Sequence, residues 1–147
     1  MTTKTTIALC RHVITTVALI TILGACQRTH TGAMPQAIDW RTSPLDLNLR
    51  GMNGRSYLFH CPPGKAAPGS VTGTGLYTDA SSICAAAAHA GALDARRGGT
   101  VTIQILPGRP NYEGSTQNFI RSEGYAHAWG GSFAVLSAAD SNLDKPR

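Results

Sequence analysis

From Thr100 to Leu106 apolar and polar residues alternate: Val101, Ile103 and Ile105 fall between Thr100, Thr102 and Gln104. A period of two over such a length predicts a half-buried β-strand, which Pro107-Gly108 ends. Arg55 to Cys61 alternates too, with Tyr57, Phe59 and Cys61 on one face and Leu58 and His60 on the other, before Pro62-Pro63 stops it. Leu45 to Arg50 alternates loosely, and Gly51-Met52-Asn53-Gly54 supplies turn residues, so the stretch from Leu45 to Cys61 predicts a hairpin. Gly64 to Gly75 holds four glycines and Pro68, which predicts a loop carrying a short strand around Val71. Ser132 to Leu136 predicts a closing strand with Phe133 and Val135 on one face.

One segment has a different character. Ser81 to Ala90 predicts a helix, with Asp79 or Ser81 available to accept from its free N–H groups and Gly91 where a left-handed C-cap is wanted. Ten residues do not hold a helix alone in water, and from Ala80 to Gly91 there is no Asp, Glu, Lys or Arg. A helix that is small and apolar on every side is a buried one. The expected fold class is therefore α+β: a single domain with a central short α-helix wrapped by antiparallel β-strands.

The ends read differently from this domain. Lys4 and Arg11 form a positive region, Val13 to Leu23 an apolar one, and Gly24-Ala25-Cys26 a small-residue cleavage site, so residues 1–25 are expected to be a leader. Leu23-Gly24-Ala25-Cys26 looks like a bacterial lipobox, which predicts lipidation at Cys26 and a membrane partner reached through that anchor. Two or three acyl chains anchor stably where one does not. Gln27, in place of an aspartate, points to the outer membrane of a two-membrane cell. Residues 26–37 read as a tether, 38–136 as the domain, and 137–147 as a polar, patternless tail.

Charge narrows the partners. The chain of 147 residues carries a formal net charge of +5. Without Lys4 and Arg11 the expected mature chain has 11 basic against 8 acidic residues, near +3. No basic cluster exceeds Arg96-Arg97, and an exported protein does not meet DNA, so nucleic acid is excluded as a partner. The sign remains compatible with anionic lipids or glycans.

The run from Cys61 to Ser115 contains Gly73-Thr74-Gly75-Leu76-Tyr77-Thr78-Asp79, Ser81-Ser82-Ile83-Cys84 and Ala87-Ala88-His89-Ala90-Gly91. Gly98-Gly99, Tyr112-Glu113-Gly114-Ser115, Asn118 and Ser132-Phe133 follow in order. This pattern, from about Ile38 to Leu136, resembles the LCCL domain, a small extracellular module. The chain departs from it at Lys65, where animal members carry a second cysteine, and at Asn118-Phe119-Ile120, where Asn-Gly-Val is usual. The resemblance implies a helix wrapped by sheet and a non-enzymatic role. With Cys10 in the leader and Cys26 carrying lipid, Cys61 and Cys84 remain, and they match the family's two cysteines, which implies a disulfide. The rival reading is a thiol metal site with His60 or His89 as co-ligand, for which no CxxC or HxxxH spacing is present.

No catalytic constellation stands out. Ser81, Ser82 and Ser115 sit in no nucleophile elbow, and paired carboxylates for glycan hydrolysis would have to come from Glu113 and Glu123, both in loops. His89, in the last helical turn, reads as structural, able to reach backbone carbonyls. No cofactor is expected. The candidate ligand-binding residues are Arg109, Tyr112, Asn118, Arg121 and Trp129, because they fall in loop-rich sequence after the strongest strand. The expected function is a non-catalytic, lipid-anchored envelope module binding a glycan, a lipid or a protein. An assembly lipoprotein with an envelope-protein partner is the alternative, followed by a small hydrolase.

Overall fold

The structure, a computed structural model, describes residues 34–64 and 69–137. The leader, Cys26, most of the tether and the tail beyond Ser137 lie outside the described residues. Among the described residues, no helix is long and apolar enough to cross a membrane.

The alternating segments become the centre of a six-stranded sheet. In chain order the strands are β1 (Gln36–Ala37), β2 (Ser56–Cys61), β3 (Gly73–Thr74), β4 (Leu76–Thr78), β5 (Gly99–Pro107) and β8 (Gly131–Leu136). They lie side by side as β1-β2-β5-β8-β4-β3. β6 (Thr116–Gln117) and β7 (Ile120–Arg121) form a separate hairpin. All pairings are antiparallel except β1 with β2. Register carries the periodicity into one buried layer: Phe59 faces Val101, Ile105 faces Phe133, and Phe133 faces Tyr77. All five are buried.

Against this layer lies α1 (Ile83–His89), and every one of its seven residues is buried. Its other sides meet β7 and the segment around Trp40, where Ile83 N–H donates to the Thr42 carbonyl and Ser82 Oγ to the Trp40 carbonyl. Alanine makes this possible, since a small side chain lets backbone layers approach from several directions. The helix is shorter than the expected Ser81–Ala90 because Ser81 is engaged elsewhere: its Oγ accepts from the Thr72 N–H and meets Thr78 Oγ1. Ser82, rather than Asp79 or Ser81, is the N-cap, accepting from the Ala85 N–H at 3.1 Å. At the other end Gly91 has φ +77°. Ala92 N–H bonds the Ala87 carbonyl and Gly91 N–H that of Ala88, the paired bonds of a Schellman cap.

Three expectations are corrected. Leu45 to Arg50 is no strand; it is a run of turns, closed by bonds such as Asn48 N–H to the Leu45 carbonyl and Leu49 N–H to that of Pro44. Asp46 curls its start by accepting from both the Ser43 N–H and Oγ. The alternation there records Leu47 and Leu49 packing on the core, and β2 takes β5 as its partner instead of a local hairpin. The short strand is Gly73–Thr74, while buried Val71 bonds through its carbonyl to the Glu123 N–H. The tether expected to run through Ala37 ends earlier, since Gln36–Ala37 already pairs with β2.

Cys61 and Cys84 form a disulfide, with Cα atoms 5.8 Å apart, joining the end of β2 to the first turn of α1. Both thiols are thereby consumed, which leaves none for the thiol metal site. Closing a loop of this separation, 23 residues, stabilises by about 3 kcal/mol on the chain-entropy account. Replacing both cysteines by alanine is expected to lower the free energy of urea unfolding by that order; a loss below about 1 kcal/mol would mean that strain cancels the gain.

Candidate functional site

The polar centre of the molecule is Asp79, which follows β4 and is fully buried. Its Oδ2 accepts from Arg50 Nε at 2.6 Å, and its Oδ1 from Arg50 Nη2 at 2.8 Å and Trp129 Nε1 at 2.7 Å. Burial pushes the carboxyl pKa up, but the hydrogen bonds from Arg50 and Trp129, with the Arg50 charge, outweigh it and hold the group below the ordinary carboxylate range. The Arg50 guanidinium is raised in turn by its bond to Asp79, and its Cζ lies 5.5 Å from the centre of the Trp129 ring. One carboxylate thus fixes a cation and an indole in a stacked pair. Gly131 is a requirement of this arrangement, because a Cβ there would overlap the Asp79 carboxylate.

Trp129 ends a loop whose start is equally fixed. Tyr112 and Tyr125 exchange backbone bonds of 2.8 and 2.9 Å, and Trp129 N–H donates to the Arg109 carbonyl at 3.0 Å. Between these clamps the rings gather on Tyr125. His127 lies 5.7 Å away at 75° and Trp129 5.7 Å away at 89°, both edge to face. Tyr125 and His127 are exposed and Trp129 half-buried, so the loop offers an aromatic surface on a pre-ordered backbone.

A second polar chain lies at the far end of the helix. Buried His89 meets the Tyr77 hydroxyl through Nδ1 at 2.9 Å and Ser115 Oγ through Nε2 at 3.3 Å. Burial pushes the Tyr77 hydroxyl pKa up, so it keeps its proton. Ser115 Oγ also accepts from Thr74 Oγ1 at 2.9 Å. Asn118 Nδ2 donates to the His89 carbonyl at 2.8 Å, closing the helix end from the β6–β7 turn. These contacts fasten strand, helix and hairpin together.

The LCCL domain model matches residues 38–133, about two thirds of the chain. The chain belongs to the LCCL-domain family. Guinea-pig (Cavia porcellus) cochlin is 37% identical over 114 residues, which is 77% of this chain and 20% of cochlin. Human (Homo sapiens) cochlin is 36% identical over the same length, and mouse (Mus musculus) vitrin 38% over 83 residues, 56% of this chain and 12% of vitrin. The chain therefore spans a fifth or less of these relatives.

The LCCL fold separates the five residues nominated from sequence. Arg109 is exposed and adjoins the aromatic loop, and Trp129 is part of it. Tyr112 lies beneath, 6% exposed, with its hydroxyl taken up by the Arg109 N–H, the Gly131 carbonyl and Ser132. Asn118 and Arg121 belong to the hairpin instead. Arg121 Nε lies 3.2 Å from Glu123 Oε1 and, with Ser115 and Ser122, lines a separate open depression of about 380 Å³. Tyr125, His127 and Arg50 went unnominated. The spacing Tyr125-Ala126-His127-Ala128-Trp129 holds a legible signal, aromatic residues at every second position, whereas nothing local marks Arg50.

Proposed function

We propose that this LCCL domain is a non-catalytic binding module of the cell envelope, held by lipid on Cys26, that takes a glycan on the Tyr125–Trp129 loop. The observation that carries this reading is the rigid aromatic cluster of Tyr125, His127 and Trp129, fixed from below by Asp79. Rigid rings offer contact area at little entropic cost, and the polarised C–H faces of a pyranose suit the electron-rich face of an aromatic ring. Arg109, exposed beside the loop, supplies donors for acidic or hydroxyl groups. The family membership and the lipobox support the extracytoplasmic setting.

Full-length protein applied to an array of envelope glycans and lipids is the test. Tyr125→Ala is expected to weaken the strongest glycan signal by about tenfold or more, the scale of an aromatic hot spot, with the melting temperature unchanged. Binding that survives Tyr125→Ala but falls with Arg121→Gln would move the site to the hairpin depression. A second reading rests on the outward face of the sheet, where Leu58, Thr102 and Leu136 form one row and Gln104, Ala134 and Leu76 another, without a charged side chain. That face suits an envelope-protein partner, and an array with no positive glycan or lipid would favour it.

A further inference from the structure

We propose that Phe119 is a membrane-contacting residue: the tip of the β6–β7 hairpin sets its phenyl ring into the interface of the bilayer that holds the chain. Phe119 is 106% exposed, the most exposed large apolar side chain among the described residues. Its backbone is unfavourable as well. Asn118 has φ +50° and Phe119 φ +63°, two successive left-handed residues in a two-residue hairpin turn. Such a turn favours Asn followed by Gly. Asn118 suits the first position; a phenylalanine in the second is strained, because its Cβ crowds the backbone there.

The ring gains no burial within the domain, so neither packing nor backbone preference accounts for it. The turn is nevertheless held firmly. Asn118 is bonded to the His89 carbonyl, and Ile120, directly after the ring, packs on the core. A pre-ordered tip loses little freedom when its ring enters another phase.

The form of the site selects the occupant. One convex ring beside exposed, uncharged Thr116 and Gln117 falls far short of the roughly 800 Å² that each partner buries in a stable protein interface. A bilayer accepts a single ring at headgroup depth. Arg121, the nearest cation in sequence, is paired with Glu123, so insertion should not depend on anionic lipid. Proximity comes from the lipidation proposed for Cys26, on which this inference rests for reach: residues 27–35 span at most roughly 30 Å. Tethering makes the second contact effectively intramolecular, so a partition preference of about ten- to a hundredfold from one ring is enough.

The experiment uses full-length Phe119→Trp protein reconstituted into phosphatidylcholine vesicles with brominated acyl chains, after the mass of its N-terminal peptide is recorded. Spectra of the wild type under the same conditions remove the contributions of Trp40 and Trp129. Emission from the introduced indole is expected to shift to shorter wavelength and to be quenched, equally when phosphatidylglycerol is added. Emission that remains water-like and unquenched overturns the proposal and leaves the ring for a protein pocket. An unlipidated mass would refute the anchor alone. The same vesicles added to that protein still read the ring, quenching sustaining the proposal and its absence overturning it. Phe119→Gly, which suits the backbone, is expected to melt above wild type; a lower melting temperature would mean that the ring serves the fold, and would overturn it too.

Discussion

Ala87→Glu is expected to remove most or all of the domain's stability. Ala87 is fully buried in α1, with sheet on one side of the helix and β7 and the Trp40 segment around the rest. A glutamate there brings two penalties. Its extra atoms have no room, and overpacking of this kind costs about 1–3 kcal/mol. Its carboxylate is either buried without a partner or protonated at a cost, adding several kcal/mol more. A domain of this size has about 5–15 kcal/mol to lose. Ala90, the exposed C-cap residue, provides the control: Ala90→Glu should cost no more than about 1 kcal/mol, from the carboxylate at the negative end of the helix. Urea titration followed by circular dichroism measures both. An Ala87→Glu protein that unfolds at the wild-type midpoint would mean that α1 is not enclosed.

Asp79→Asn is expected to cost about 2–4 kcal/mol and to flatten the acid limb of the stability curve. The amide keeps the size of the carboxylate but offers one acceptor oxygen where three donor groups converge, and turns an N–H₂ toward Arg50 or Trp129. Since the Arg50 side chain is 41% exposed, water can take up part of its charge, which keeps the cost below that of a fully buried broken pair. The sign of the pH effect follows from the depressed pKa of Asp79. Its stabilisation is complete above the unfolded carboxylate value of about 3.9 and is lost as pH falls through the lower folded value. Asp39 and Asp46 keep a residual acid limb. The former is lowered by the Arg41 N–H and the Thr42 hydroxyl and N–H, the latter by the Ser43 hydroxyl and N–H. Thermal unfolding of both proteins from pH 6 downward would show this, with their curves converging at the acid end as Asp79 in the wild type protonates. Parallel curves at every pH would mean that the Asp79 charge contributes nothing.

Much of the fold was legible because its elements are short-range statements. Val101, Ile103 and Ile105 mark β5, and the charge-free, alanine-rich stretch from Ser81 to Ala90 marks a buried helix that Gly91 closes. The misreadings have two different causes. Leu45 to Arg50 has a strand-like alternation, yet Ser43, Pro44 and Leu45 accept from the N–H groups of residues 46–49 in turns, and a local bond wins over a sheet partner that must come from far away. Asp79 looked like a helix cap from its position, but Ser82 stands closer to the first turn, and the carboxylate was claimed by groups that the chain order does not place near it.

The sequence by itself determined that one face of β5 and the charge-free alanine helix would be buried, that Gly91 closes that helix, and which family the chain belongs to, since each depends on side-chain type at a fixed local spacing. Only the tertiary structure decided the site. Arg50 and Trp129 lie 29 and 50 residues from Asp79 and meet it because β4 is paired with β8 and the flanking loops fold back over their ends. The gathering of Tyr125, His127 and Trp129 into one surface depends on the same folded loops, and the left-handed turn that projects Phe119 is held where Asn118 bonds the helix end. Local preference sets what a segment can be, while strand order and register set which distant groups share a dry, low-dielectric place where a few hydrogen bonds decide the geometry.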